Sequence, residues 1–239
     1  MRFLSLPNEV ILLIGENIAS EADLNSLIRV NSRLHNILIG HIYRYNSNVC
    51  HSSALLWAAE HGQESTARKS LDAGSNVETV NEQDQTPLSL AAAQGHVPLV
   101  RLLLTYRDID VNSRDENDQT PLSHAAEHGH EEVIKLLLAR DSVDINARDC
   151  DGRTPLLVAA MQGFESIVRL LLQCNGIDIN MRDEDGRTPL IAAAMFRRRK
   201  VANCLLQHAD IDIKAQDCEG LTALWWARQY GYEFERKGL

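Results

Sequence analysis

Along most of the chain, short runs of small and aliphatic residues alternate with polar stretches at a constant spacing. Each run opens with Thr-Pro-Leu or a close variant, at Thr86, Thr120, Thr154, Thr188 and Thr222. These threonines lie 34 residues apart, and Ser53-Ala54-Leu55 opens a similar run 33 residues before Thr86. Self-similarity at such a period predicts a solenoid of repeated units, each unable to bury its apolar face alone.

The run that opens at Thr154 shows why one unit begins with a short helix. Thr154 can accept hydrogen bonds from free amides as an N-cap, and Pro155 at the first helical position gives up no needed donor. Ala159 and Ala160 allow close approach of neighbouring helices. Gly163 permits the left-handed residue that ends the helix.

A second helix and a turn complete the unit. The buried side of this helix is predicted to carry Ile167, Val168, Leu170, Leu171 and Leu172. Asp149 to Gly152 is typical of a β-turn, which would project as a finger between units. Because Cys204 occupies the slot of Leu102 and Leu136, we expect it to be a core thiol.

Residues 49–239 closely resemble the ankyrin repeat, with five full units and a terminal half-unit from Cys218. The resemblance implies an all-α solenoid of helix pairs with short β-turn fingers. It also implies binding to other proteins, with no catalytic site, cofactor or metal. The histidine usual after Thr-Pro-Leu is replaced in these units by Ser89, Ser123, Leu157, Ile191 and Trp225.

The first 46 residues follow a different pattern, which predicts three short helices. Their apolar positions are Val10, Ile11, Leu13, Ile14 and Ile18, then Leu24, Leu27 and Ile28 after Asp23, then Leu34, Ile37, Leu38 and Tyr43 from about Ser32. So many aliphatic side chains exceed what three short helices can bury among themselves. The surplus indicates a surface for a partner.

This N-terminal segment resembles an F-box, in which Leu-Pro, an acidic residue and spaced aliphatics precede a central Asp-Leu. The matching positions are Leu6, Pro7, Glu9, Val10, Ile14, Asp23, Leu24, Leu27 and Val30, whereas Asn31 and Leu34 stand where the family often has Cys and Trp. An F-box ahead of ankyrin repeats is similar to proteins of filamentous fungi. The resemblance implies docking on the Skp-type adaptor of SCF ubiquitin ligases through Leu6, Pro7, Val10, Ile14, Leu24, Leu27 and Val30. The alternative is a helical cap that shields the first ankyrin unit of a free-standing scaffold or inhibitor.

Charge and cysteine content narrow the possible partners. The net charge is −9, and residues 1–46 hold four basic and four acidic groups, so the negative excess lies in residues 47–239. An acidic surface repels phosphate, which disfavours nucleic acid as a partner. Five cysteines without a CxxC pair favour a reducing compartment, cytoplasmic or nuclear, and no run is long enough to span a membrane.

One sequence motif suggests a metal site. His124-Ala125-Ala126-Glu127-His128 matches the H-x-x-E-H pattern of zinc enzymes. The repeat offers another explanation, because Trp57-Ala58-Ala59-Glu60-His61 is the same stretch of the first unit. We therefore expect a buried, hydrogen-bonded His124 and an exposed His128, without zinc.

The basic run Arg197-Arg198-Arg199-Lys200 could be a nuclear-import signal, an anion site or a solvated turn, of which we favour the turn. Arg197 occupies the slot of Gly62, Gly95, Gly129 and Gly163. A left-handed backbone at Arg197 would be strained.

The predicted substrate site combines finger arginines with apolar residues at the ends of the first helices. Its members are Arg114, Arg148 and Arg182 at one finger slot, Arg153 and Arg187 at another, and Met161, Met195 and Phe196. Such a strip suits a peptide with hydrophobic and acidic residues. In the alternative, Phe196 folds inward to cover the gap left by the missing glycine.

Overall fold

The computed structural model describes residues 53–234, and the three-helix module predicted for residues 1–46 lies outside them. The described part contains eleven helices and no strand, arranged as five pairs and a terminal single helix. We call the first helix of each pair the inner helix and the second the outer helix. In order from unit 1 to unit 5, the pairs are α1 Ser53–His61 and α2 Glu64–Asp72; α3 Pro87–Ala93 and α4 Val97–Leu103; α5 Pro121–His128 and α6 Glu131–Leu138; α7 Pro155–Gln162 and α8 Glu165–Leu172; and α9 Pro189–Met195 and α10 Arg199–Leu205. Unit 6 contributes one inner helix, α11 Ala223–Gln229. Between residues 53 and 234, no helix is long and apolar enough to cross a bilayer.

A threonine hydroxyl caps each inner helix from α3 to α11. It accepts a hydrogen bond from the amide three residues later, at distances from 3.2 Å for Ser89 to 3.4 Å for Ile191. Proline follows the cap at the first helical position of four of these helices. The predicted roles of Thr154 and Pro155 are confirmed. Such caps contribute about 1 kcal/mol each, which short helices need.

The core lies between the stacked helices. Inner helices pack against the inner helices of neighbouring units, and each outer helix packs against its own inner helix. The alanine pairs are fully buried, including Ala159 and Ala160. In α8, Ile167, Val168 and Leu171 are buried as predicted, but Leu170 and Leu172 are only half-buried. These five side chains spread around more than one face of the eight-residue helix, so a helix that packs on one side cannot bury all of them equally.

Tight turns between the units form the fingers, as predicted for Asp149 to Gly152. The Asp149 amide donates to the Arg153 carbonyl at 3.0 Å, and the Gly152 amide donates to the Asp149 carbonyl at 2.9 Å. Main-chain hydrogen bonds also join successive fingers: Glu116 to Gln83, Cys150 to Asn117, Glu184 to Asp151, and Cys218 to Asp185. The fingers are therefore held at a fixed spacing.

Asparagine side chains tie the bases of the fingers together. Asn146 donates through Nδ2 to the Gly176 carbonyl at 2.8 Å, and its Oδ1 accepts from the Asp178 amide at 3.0 Å. Asn112 and Asn180 make the same pair of bonds one unit earlier and one unit later. Each amide side chain thus satisfies two main-chain groups of the next unit.

The turn between the two helices of a unit requires a left-handed residue. Gly129 and Gly163 have φ angles of 80° and 90°. A Cβ at Gly129 would also lie 2.9 Å from the Phe164 ring of the next unit, so glycine is needed for space as well. Arg197 adopts the same conformation with φ 60°, which confirms the strain predicted for it.

Candidate protein-binding surface

The first set of predicted finger arginines bridges successive fingers. Arg114 Nη1 lies 2.7 Å from the Arg148 carbonyl, Arg148 Nη2 lies 3.1 Å from that of Arg182, and Arg182 Nη1 lies 3.1 Å from that of Gln216. All three side chains remain exposed at the surface. Each guanidinium therefore stabilises the stack, and only its remaining N–H groups face solvent.

The second set of finger arginines is neutralised within its own finger. Arg153 Nε lies 2.9 Å from Asp149 Oδ2, and its Nη2 lies 2.8 Å from Asp151. Arg187 repeats this with Asp183 at 2.7 Å and Asp185 at 2.6 Å. Two carboxylates on each guanidinium leave no net positive charge for a partner.

An aspartate organises the finger of each unit from 3 to 6; it is buried in units 3 to 5 and half-buried in unit 6. One oxygen of Asp115 accepts from the Asn117 and Gln119 amides, both at 2.9 Å, and the other lies 2.8 Å from His124 Nε2. In unit 6, Asp217 uses its second oxygen to accept from Trp226 Nε1 at 3.0 Å. The donor differs between units, but it always satisfies the same carboxylate oxygen.

The histidine motif is explained by this role. His124 is 5% exposed and hydrogen-bonded to Asp115, while His128 is exposed, and both predictions are confirmed. His128 Nδ1 lies 3.0 Å from the carbonyl of His124. In residues 53–234, no three His, Cys, Asp or Glu side chains are grouped so that they could hold a metal ion.

The four cysteines of residues 53–234 lie in two environments. Cys204 is buried as predicted, and burial raises its pKa. Burial also raises the pKa of the Cys174 thiol. A raised pKa lowers the thiolate fraction, so neither thiol has the character of a nucleophile at neutral pH. Cys150 and Cys218 are exposed in separate fingers.

The apolar residues of the predicted site lie at the C-terminal ends of α7 and α9. Met161 and Met195 are half-buried, whereas Phe196 is 39% exposed. Phe196 therefore does not fold inward to fill the place of the missing glycine. The structure leaves one large aromatic surface beside two adaptable thioethers.

The basic run is next to Phe196. We define residues 196–200 as the unit-5 turn. Four of its side chains, Arg197 to Lys200, are exposed cations. The Arg197 guanidinium carbon lies 5.0 Å from the centre of the Tyr230 ring, which is a cation–π distance. Arg198 Nε donates to the Met161 carbonyl at 2.8 Å.

Arg198 belongs to a series of inter-unit contacts that the sequence analysis does not anticipate. In units 2, 3, 5 and 6, the residue after the left-handed position reaches back to a carbonyl near the end of the preceding inner helix. His96 contacts Glu60 at 3.0 Å, His130 contacts Ala93 at 2.9 Å, and Tyr232 contacts Ala194 at 2.7 Å. The signal available in the sequence is a long side chain with a donor directly after the turn residue.

Comparison with known families agrees with this geometry. A model described as ankyrin repeats (3 copies) matches residues 28–115, 55–149, 107–183, 141–217 and 175–235, in overlapping segments. No curated protein matches the chain significantly. Ankyrin repeats are protein–protein interaction modules, and their proteins are generally scaffolds without enzymatic activity. The matched segments span most of the sequence, and the chain therefore belongs to the ankyrin-repeat family.

Proposed function

We propose that this protein is a non-enzymatic recruiting subunit, which captures a protein partner on its solenoid and delivers it to an SCF-type ubiquitin ligase. The observation that carries the capture role is the exposed strip at the ends of the inner helices. Phe196, 39% exposed, lies there beside half-buried methionines and a run of cations. Aromatic and arginine side chains of this kind are the usual anchors of protein interfaces.

The link to a ligase is supported by the sequence of the N-terminal segment. Leu6-Pro7, Asp23-Leu24 and the spaced aliphatics match the F-box pattern. The apolar surplus of the segment also calls for a partner. A Skp-type adaptor is the partner that this pattern implies.

The adaptor interaction is tested with the full-length protein and a purified Skp-type adaptor. We expect complex formation at micromolar concentrations. Leu27→Asp should abolish it, because burying an unpaired carboxylate costs roughly 3 kcal/mol or more, over a hundredfold in Kd. Size-exclusion co-elution and calorimetry provide the measurement.

Val80→Asp is the matched control, since Val80 is an aliphatic residue that is 44% exposed in the solenoid. It adds the same carboxylate and should leave adaptor binding unchanged. Failure of the wild-type protein to retain the adaptor would reject the ligase role.

The second candidate is a free-standing ankyrin scaffold or inhibitor, whose N-terminal helices only cap the stack. Asn31 and Leu34 favour it, because the F-box pattern often has Cys and Trp at these positions. In that case the adaptor would not bind, and deletion of residues 1–46 would lower the melting temperature of the solenoid.

A further inference from the structure

Outer helices of three units begin with a glutamate that pairs with a cation four residues later. Glu64 pairs with Arg68 at 2.7 Å, Glu131 with Lys135 at 2.7 Å, and Glu165 with Arg169 at 2.8 Å. In unit 5 the same two slots hold Arg199 and Asn203. Units 1, 3 and 4 therefore start their outer helix with a negative side chain, whereas unit 5 starts it with a positive one.

This reversal is unfavourable for the isolated unit. Positive charges in the first turn of a helix oppose its dipole, and Arg199 and Lys200 both lie in the first turn of α10. Arg197 adds a left-handed backbone that units 1 to 4 give to glycine. Two locally unfavourable features, one electrostatic and one in the backbone, thus occur at the same turn of an otherwise regular fold. Such a combination is characteristic of functional sites.

The positive charge of this turn faces solvent. Arg197, Arg198 and Lys200 are exposed, and none of the three forms an ion pair with a carboxylate of the described residues, unlike Arg153 and Arg187 in the fingers. The adjoining surface is aromatic, formed by Phe196 and by Tyr230 under the Arg197 guanidinium.

We propose that the unit-5 turn, residues 196–200, binds an acidic segment of the partner protein, with carboxylates on Arg197 and Lys200 and an apolar side chain on Phe196. Charge complementarity identifies this occupant. A chain of net charge −9 repels a long polyanion such as nucleic acid, whereas a short acidic segment fits one local cluster of four cations. Binding of an acidic segment presupposes the partner-capture role proposed above, and specifies its chemistry.

The probe for this site is a fluorescein-labelled decapeptide of alternating Glu and Asp around a central Leu-Phe pair. Its counterpart carries Gln and Asn in place of the acids. Anisotropy titrations use the full-length protein at physiological salt. We expect the acidic peptide to bind and the neutral peptide to bind at least about tenfold more weakly.

The decisive variant is Arg199→Glu with Lys200→Glu, which gives unit 5 the Glu131-Glu132 sequence of unit 3 and is therefore compatible with the fold. It should weaken binding of the acidic peptide about tenfold or more. The control is Arg107→Glu with Lys214→Glu, an equal charge change at two exposed loop residues, expected to alter binding by less than about twofold. Melting temperatures of both variants check folding.

Equal weakening by the control, equal binding of the two peptides, or no detectable binding would overturn the proposal. Displacement of the acidic peptide by an equally tight single-stranded oligonucleotide would also overturn it, in favour of a nucleic-acid site. Adaptor retention is measured separately. Loss of adaptor binding with peptide binding intact rejects only the ligase role, and the reverse result rejects only the turn site.

Discussion

At the fingers, Arg153 and Arg187 each contact two carboxylates of their own unit, whereas at the unit-5 turn Arg197 and Lys200 contact none among residues 53–234. The finger groups recur with the same geometry every 34 residues. The turns between helices differ from unit to unit, from Glu60-His61-Gly62 in unit 1 to Met195-Phe196-Arg197 in unit 5.

This comparison distinguishes charged residues that stabilise the stack of units from charged residues that are available to a binding partner. Finger charges satisfy one another, so changing them should alter stability before it alters binding. At the turn, Arg197 and Lys200 pair with no carboxylate of residues 53–234, so changing their charge should alter binding with little loss of stability. Three substitutions test this division, from the largest expected effect to the smallest.

Removal of a finger carboxylate should have the largest effect. The Asp183 side chain is 1% exposed, accepts from the Arg187 amide at 2.8 Å and lies 2.7 Å from Arg187 Nε. Asp183→Ala removes the acceptor of the Arg187 amide and one of the two carboxylates on the Arg187 guanidinium, which should lower the free energy of unfolding by about 3 kcal/mol. Urea titration followed by circular dichroism measures the loss.

The control for this substitution is Glu184→Ala, the exposed neighbour in the same finger. We expect a change within about 0.5 kcal/mol. If Asp183→Ala were equally mild, the carboxylate would not organise the finger, and the arginines there would have to be reconsidered as binding residues.

The apolar part of the recognition surface should give the next largest effect. Met195→Ala with Phe196→Ala should weaken binding of the acidic peptide by at least about 1.5 kcal/mol, since an exposed aromatic residue is a typical anchor. The melting temperature should change little, because Phe196 is 39% exposed and Met195 half-buried. Val80→Ala, an exposed aliphatic residue elsewhere, should leave binding unchanged; full affinity of the double variant would place the anchor elsewhere.

Local chemistry made much of the fold predictable. The cap at Thr154, the left-handed Gly163 and the buried His124 each follow from one residue in a fixed place in the repeat. The strain at Arg197 was predictable in the same way, because an arginine stands in a glycine slot.

The partners of the arginines could not be predicted in this way. Whether Arg148 is available to a ligand depends on the Arg182 carbonyl, which lies one unit away, and the Met161 carbonyl contacted by Arg198 is equally remote in sequence. Such contacts are set by the rise between stacked units, which no local pattern specifies. Residue spacing alone therefore does not distinguish arginines that join units, such as Arg148 and Arg198, from an arginine such as Arg197 that makes no hydrogen bond to the preceding unit.

The smallest effect should be a gain in stability at the unit-5 turn. Arg197 has φ 60° in a conformation that only glycine adopts at low cost, so Arg197→Gly should raise the free energy of unfolding by up to about 1 kcal/mol, net of the chain entropy that glycine adds and the lost contact with Tyr230. The matched reverse change is Gly163→Ala in unit 4. There φ is 90°, and a Cβ would lie 2.6 Å from Arg198 Cδ, so this variant should lose at least about 1 kcal/mol. Because Arg197→Gly also removes a proposed peptide contact, the same variant should bind the acidic peptide more weakly while unfolding at higher urea. An unchanged or lower midpoint for Arg197→Gly would show that the contact with Tyr230 outweighs the backbone strain, and that Arg197 is part of the scaffold rather than of the recognition surface.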